Sequence, residues 1–413
     1  MDPGVTAPAG FRAAGVAAGL KGDGARDVAL VVNDGPGTAA AGLFTRNRVS
    51  AAPVQWSRQV LRGGHLRAVV LNSGGANAAT GVAGFQDAHA TAEHVAAALG
   101  RAGAGDVGAG EVAVCSTGLI GERLPMDRLL AGVDEAVGAL SRAGGPAAAE
   151  AILTTDTRPK TTSAVAVGPG GRTYTVGGMA KGAGMLAPAL APASEGPAGP
   201  AGPGPAHATM LVVLTTDAVA DPATLEAALR EASRVSFERL DTDGCLSTND
   251  TVLLLASGAA GVAPELDQLT GAVRLVCEEL AWALLHDAEG ATKQVSIEVT
   301  GAATEADAVE VGRAVARSNL VKTALFGNDP NWGRVLAAVG TTTAAFVPEQ
   351  VDVALNGVWV CRGGSMASDR ATVDLSGSAI AVQIDLHAGD ASATVLTTDL
   401  SHEYVRENSA YST

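Results

Sequence analysis

Thr209 stands at the head of a short apolar run, TMLVVL over residues 209–214, with Thr215, Thr216 and Asp217 behind it. Such a run suits an interior strand, and a threonine there reads in two ways. It is an ordinary strand residue, or it is a nucleophile exposed by cleavage of the bond between Ala208 and Thr209. A neutral hydroxyl is a weak nucleophile unless a base lies within hydrogen-bond reach. A chain-terminal threonine carries such a base in its own α-amine, which titrates near ~7.7 to 8. A hydroxyl so activated can attack a carbonyl, and acyl transfer then needs donors where the tetrahedral oxyanion develops. Residues 115–121 (CSTGLIG), entered from the apolar residues 112–114, form a Ser/Thr/Gly turn after a strand, which is a way to aim a hydroxyl and a backbone N–H at one point. The same stretch also reads as a capped helix start.

Other polar clusters have a plain reading beside a chemical one. Residues 72–78 (NSGGANA) follow an apolar strand and read as a tight turn or as a cradle of N–H groups for an anion. Residues 154–160 (TTDTRPK) pack three hydroxyls, a carboxylate and two cations into a loop, and Lys181 sits among small residues at the end of GGMAKG. Residues 286–293 (HDAEGATK) invite a metal reading, yet three neighbouring polar residues in a turn rarely complete a site. His89 and Glu93 lie one helical turn apart, and without a third ligand they read as a surface contact.

Several of these stretches, in this order, resemble the ornithine acetyltransferase family, also called glutamate N-acetyltransferase. The matching motifs are NSGGANA, STGLIG at 116–121, TTDTRPK, GMAKGAGML at 178–186, ATML at 208–211, TDGCLSTNDT at 242–251, LVKTALFGNDPNWGR at 320–334 and the end of the chain. The resemblance implies a self-cleaving enzyme of the N-terminal-nucleophile type with a layered α/β (α+β) fold, Ntn-hydrolase-like and of the αββα kind. It implies an N-terminal segment 1–188, a Pro/Gly/Ala-rich linker 189–208 ending at the cleavage site, and a C-terminal segment 209–413 that begins with the nucleophile. Thr209 would take the acetyl group from N-acetylornithine and pass it to glutamate in a ping-pong scheme that needs no metal or dissociable cofactor. Thr117 and Gly118 would hold the oxyanion, while Thr155, Lys181, Thr209, Glu289, Asn408 and Thr413 would contact substrate, the C-terminal tail folding over the site. The processed pieces would assemble as an α2β2 heterotetramer, and acetyl-CoA as a second donor stays open. The chain departs from the family pattern at Gly75, where an asparagine is usual, in the long tract before His207, at His207 itself, and at Glu407, Ser409 and Ala410. These departures keep two other readings open: an acyltransferase or amidohydrolase for a different amine, and an uncleaved binding protein.

Composition bounds the rest. A chain of 413 residues can build a large core, as two lobes or one large domain. Hydrophobic residues make up 47% and aromatic residues 3%, so the core must be built of Val, Leu, Ile and Ala. A formal charge of −15 without clustered Lys or Arg argues against a nucleic-acid surface. Four scattered cysteines without a CxxC pair suggest neither a disulfide frame nor a zinc site. No apolar stretch approaches the ~20 residues that span a bilayer, and residues 1–15 lack a basic region followed by an apolar one, so the expectation is a cytoplasmic protein off the membrane.

The elements that must position these groups follow from periodicity. Strands are expected at residues 13–20, 28–32, 42–45, 68–71, 163–167, 173–176, 252–256, 295–299, 351–355, 380–385 and 392–396. Helices are expected at 86–99, 124–140, 147–153 and 265–286, and another opens at Asp221 as N-cap with Pro222 as its first residue. Residues 189–206 collapse to Ala, Pro and Gly with one Leu, one Ser and one Glu and cannot bury enough apolar surface to offset their ordering entropy, so mobility is expected there.

Overall fold

The computed structural model describes residues 2–22, 24–103, 105–195 and 209–410. Contacts divide the chain into two compact units, one made of Met1–Glu238 with Leu246–Leu284, the other of Arg239–Cys245 with Leu285–Ser412.

The first unit carries, in chain order, β1 (Phe11–Val16), β2 (Val28–Asn33), β3 (Ala40–Thr45), α1 (Ala52–Val60), β4 (Ala68–Asn72), α2 (Gly81–Arg101), β5 (Val112–Ser116), α3 (Met126–Ala139) and α4 (Gly145–Ala151). It continues through β6 (Lys160–Val167), β7 (Thr173–Lys181), β8 (Leu190–Pro192), β9 (Leu211–Thr216), α5 (Pro222–Arg234), β10 (Thr251–Ala256) and α6 (Leu266–Leu285). Two sheets result, one of four strands in the order β1-β2-β4-β5 and one of six in the order β6-β7-β9-β10-β3-β8. Both feed one apolar core, to which Leu211 and Val213 of β9 and Leu253 and Leu255 of β10 belong. The alternate residues of β9 point the other way, since Leu214 lies beside Gly178 of β7 and the α6 residues Val276 and Leu280. Helices α2 and α3 pack on the four-stranded sheet, and α5 packs on the six-stranded one next to β3. The unit is therefore layered helix, sheet, sheet, helix, as the resemblance implied. Small residues make that layering possible: a Cβ on Gly178 would stand 2.6 Å from Leu214.

The expected elements are present with shifted ends. The run that opens at Thr209 begins its ladder only at Leu211, because β9 pairs in parallel with β10 (Leu211 opposite Thr251) and antiparallel with β7 (Leu211 opposite Lys181). The Asp221 cap is observed, its carboxylate accepting from the Ala223 and Thr224 N–H groups. Mobility from residue 189 onward is corrected at its start. Leu190–Pro192 forms a strand on β3, with Leu190 fully buried and its carbonyl accepting from Arg46 and Arg230. The ladder to β3, the partners of the Ala189 carbonyl and of the Leu190 carbonyl and N–H, and one buried leucine hold a stretch that composition alone marks as poor in apolar surface.

The second unit holds β11 (Gln294–Ala302), α7 (Glu305–Ala316), α8 (Asn319–Phe326), α9 (Trp332–Val339), β12 (Asp352–Leu355), β13 (Val358–Arg362), β14 (Ser365–Met366), β15 (Ala379–Asp385), β16 (Ala391–Thr398) and α10 (His402–Ala410). Its six-stranded sheet runs β14-β13-β12-β15-β11-β16 over a separate core that contains Val295, Ile297, Val311 and Val382. The motif at 320–334 spans α8 and α9, and Lys322 within it is buried on the Thr242 carbonyl, the Thr397 hydroxyl and Thr398. Burial pushes its ammonium down to about 8. The stretch 404–413, which by sequence alone reads as a frayed tail, is helical as far as Ala410, the last described residue, within α10. Among the described residues no helix is long and apolar enough to cross a membrane.

Candidate active site

Thr209 precedes β9 by two residues and is 3% exposed. Its hydroxyl lies 2.8 Å from the Ser247 hydroxyl. The next residue is clamped on both sides: the Met210 N–H donates to Asp250 Oδ1 at 2.9 Å, and the Met210 carbonyl accepts from Thr251 N–H at 3.1 Å. Ser247 Oγ also accepts from the Asn249 N–H at 3.0 Å, and the Asn249 amide donates to the carbonyls of Ala76 (2.7 Å) and Ser116 (2.9 Å). The loop before β10 thus brackets Thr209 against the two turns that follow β4 and β5. Sequence reasoning gave that loop a structural part without identifying Ser247, Asn249 or Asp250, because nothing in the local pattern says which of its polar side chains turn inward.

The two turns are tied to each other. Thr117 N–H donates to the Asn72 carbonyl, Gly75 N–H to the Thr117 carbonyl, and the Ser116 hydroxyl to Asn72 Oδ1 at 2.6 Å. Gly118 has φ +126, and a Cβ there would meet the Gly75 nitrogen at 2.6 Å, so only glycine fits. Both Thr117 and Gly118 are buried. Among the described residues, nothing accepts the Gly118 N–H or the Thr117 hydroxyl proton. Two buried donors without acceptors are costly in a resting protein and suited to a negative charge that forms only during a reaction.

Behind Thr117 lies a charged cluster on β6, β7 and the loop before β6. Lys181, the last residue of β7, is fully buried, and its ammonium donates to Thr117 Oγ1 (3.1 Å) and Thr154 Oγ1 (2.8 Å). Asp156 Oδ2 is 3.7 Å from it. The Asp156 carboxylate, its side chain buried, accepts from Lys160 Nζ at 2.7 Å and Gly182 N–H at 2.8 Å. Burial pushes this carboxyl up, but Lys181, Lys160 and the Gly182 N–H outweigh it and hold the group below the usual carboxylate range. Thr155 is half-buried in the same loop. Of the residues named from the sequence, the fold therefore gathers Thr117, Gly118 and Lys181, with Thr155 beside them; Asp156 and Lys160 were part of a noted loop but their pairing was not foreseen.

In the second unit, Glu289 Oε2 accepts from the Asn408 amide at 3.0 Å. That pair forms because Gly290, at φ +59, lets the loop approach the start of α10 so closely that a Cβ would lie 2.1 Å from the Tyr404 nitrogen. Burial first, then Glu289 and Glu403, push the neighbouring Glu407 carboxyl up. Ala208 and Thr413 lie outside the described residues. His89 and Glu93 stand 3.4 Å apart as an exposed pair on α2, a surface contact.

Comparison with known proteins points one way. A model of the ArgJ family matches residues 12–413. The chain is 60% identical over 409 residues to the arginine biosynthesis bifunctional protein ArgJ of Thermobifida fusca, covering 99% of this chain and 100% of that one. It is 58% identical over 408 residues to the protein of the same name from Streptomyces coelicolor, covering 99% of each. Among solved structures it is similar to the ornithine acetyltransferase of Mycobacterium tuberculosis complexed with ornithine, at 63% identity over 46% of this chain and 96% of that one, TM-score 0.42. It is also similar to ArgJ of Bacillus halodurans, at 33% identity over 48% of this chain and 97% of that one, TM-score 0.45.

Proposed function

This chain belongs to the ArgJ family, and from that premise we propose that Thr209 is the nucleophile through which it moves an acetyl group from N-acetylornithine to glutamate. The protein is an acetyltransferase of arginine biosynthesis. Its segments are 1–188, a linker 189–208 and 209–413, with self-cleavage between Ala208 and Thr209. The freed α-amine takes the proton of the Thr209 hydroxyl as Oγ attacks the acetyl carbonyl. The oxyanion forms against the Thr117 hydroxyl and the Gly118 N–H. The carbon–nitrogen bond to ornithine then breaks, the amine returns its proton to the leaving nitrogen, and Thr209 is left acetylated. Glutamate repeats the sequence in reverse and departs as N-acetylglutamate. Acetyl-CoA as an alternative donor would enter at the same acetyl-Thr209, which accords with the bifunctional relatives. Substrate contacts at Thr155, Lys181, Thr209, Glu289, Asn408 and Thr413, a heterotetramer of two copies of each segment and a cytoplasmic setting complete the proposal.

The observation that carries it is the pair of buried donors at Thr117 and Gly118 that lack acceptors, braced through Asn249 and Ser247 to the Thr209 hydroxyl. Intact mass spectrometry of the parent and of Thr209→Ala, with an acetyl-transfer assay on both, tests it. Two fragments meeting at residues 208 and 209 in the parent, and one inactive intact chain in T209A, are expected. An intact but active parent would refute the mechanism.

A further inference from the structure

The hydroxyl of Thr209 and the nitrogen of the same residue are poorly placed to exchange a proton directly. Oγ1 reaches that nitrogen only through Cβ and Cα, so a direct transfer closes a ring of five atoms. Such a ring holds the O–H···N angle near or below ~120°, where hydrogen bonds weaken steeply. A third atom bridging the hydroxyl and the nitrogen lets the proton move along two straighter bonds instead. Ser247 Oγ, 2.8 Å from Thr209 Oγ1, is placed to be that atom.

A serine hydroxyl has two lone pairs and one proton. Ser247 Oγ gives one lone pair to the Asn249 N–H at 3.0 Å, which leaves the second for the Thr209 proton. Among the described residues, the Ser247 proton has no acceptor other than Thr209 Oγ1, so once Thr209 donates, that proton is free to be handed on. The oxygen is also held still. Ser247 is 0% exposed, its carbonyl accepts from the hydroxyl of Thr45, the last residue of β3, at 2.6 Å, and Asn249 is fastened to the carbonyls of Ala76 and Ser116.

Resting on the reading that acetyl transfer runs through Thr209, we infer that Ser247 is a further catalytic residue, the proton relay between the Thr209 hydroxyl and its α-amine. As Oγ1 bonds the acetyl carbon and the carbonyl π pair moves onto oxygen, the Thr209 proton passes to Ser247 Oγ. The Ser247 proton passes at the same time to the amine lone pair, so the serine ends neutral and the amine ends as an ammonium. The ammonium then gives a proton to the departing nitrogen as the bond to ornithine breaks. Self-cleavage uses the same relay before any amine exists. There Oγ1 bonds the carbonyl carbon of residue 208, the Ser247 proton goes to the Thr209 nitrogen as its bond to that carbon breaks, and water hydrolyses the resulting ester.

The experiment uses the full chain and its variants Ser247→Ala, Ser247→Thr and Ser247→Cys. Intact mass followed over time gives the rate of cleavage between residues 208 and 209, and single-turnover acetylation of the processed protein by N-acetylornithine gives the rate of the first half-reaction. Expected for S247A is a fall of about 10² or more in both rates, and a folded S247A chain that stays intact is the same result in its limit. S247T keeps the hydroxyl and should recover to within about tenfold of the parent. In mixtures of H2O and D2O the parent's acetylation rate should curve with deuterium content, because two protons move together, and that of S247A should follow a straight line. A fall of less than about tenfold in either rate for S247A, or a straight line for the parent, would overturn the inference. Should circular dichroism show S247A unfolded, S247C decides, because it fills nearly the same space with a weak donor and acceptor: a fall of about tenfold or more supports the relay, and rates near the parent's overturn it. Mass spectrometry of the parent mixed with N-acetylornithine separates the two levels. No acetyl on the segment that begins at Thr209 would bring down the underlying mechanism, whereas an acetylated parent with an equally fast S247A would bring down the relay alone.

Discussion

At Gly118 the backbone conformation and the chemistry impose the same requirement. Its φ of +126 is closed to L side chains, and the Gly75 nitrogen sits where a Cβ would go. Gly118→Ala is therefore expected to lower stability by on the order of 1 to 3 kcal/mol and, by shifting an oxyanion donor, to lower kcat by about 10². Chemical denaturation and steady-state kinetics on one preparation check both; an alanine variant with the parent's kcat would show that this N–H takes no part. Asp156 gives a pH signature. Its carboxyl is held below the range it has in the unfolded chain, near ~3.9, so it contributes stability that is present above that value and is lost as pH falls through the lower folded one. Urea midpoints measured downward from pH 5 should fall more steeply for the parent than for D156N, which has no carboxylate to protonate. Of these two residues, Gly118 could be singled out in the sequence only through the resemblance that the STGLIG motif carries, since the turn by itself reads equally as a capped helix start. Asp156 was visible only as one charge in a polar loop, because spacing does not tell which way a loop side chain points.

Among the elements, the short strand β8 is the one that composition misjudges. Residues 189–206 are almost wholly Ala, Pro and Gly, yet Leu190–Pro192 closes the edge of the six-stranded sheet. The Ala189 and Leu190 carbonyls and the Leu190 N–H are taken up by Arg46, Arg230 and Glu238. A partner strand supplied from residue 43 onward cannot be seen from the tract itself. Leu190→Ala should then cost about 2 to 5 kcal/mol, as for a buried leucine elsewhere, measured by guanidinium unfolding; a change under about 0.5 kcal/mol would be that of a surface position and would return the strand to the tract. Long periodic elements were read more faithfully. The apolar stripe of α6 and the Asp221-Pro222 opening of α5 predict their helices closely, whereas α1, nine residues with proline near its start and two polar residues around Trp56, gives too little periodicity to be recognised.

The first unit as a whole explains how a chain can be cut in its middle and keep its fold. In the order β6-β7-β9-β10-β3-β8, the strands β9 and β10 lie after the proposed cleavage point and the other four lie before it. The later segment is thus inserted between β7 and β3 of the earlier one, with ladders on both sides. The shared core repeats the mixture, since Leu211, Val213, Leu253 and Leu255 pack in one cluster with Leu30, Phe44 and Val70. None of this order could be read from the sequence, because local periodicity identifies strands but not their distant partners. Removing the covalent link between residues 208 and 209 leaves every one of these hydrogen bonds and apolar contacts in place. The two segments of the processed protein should therefore co-elute on size exclusion in native buffer and separate only in denaturant. Each segment produced alone should fail to fold, because β9 and β10 without β7 and β3 expose apolar faces and unpaired edges on both sides. Circular dichroism and size exclusion of the separately expressed segments decide the point: folded, monodisperse halves would mean that the six-stranded sheet is not the joint property of both.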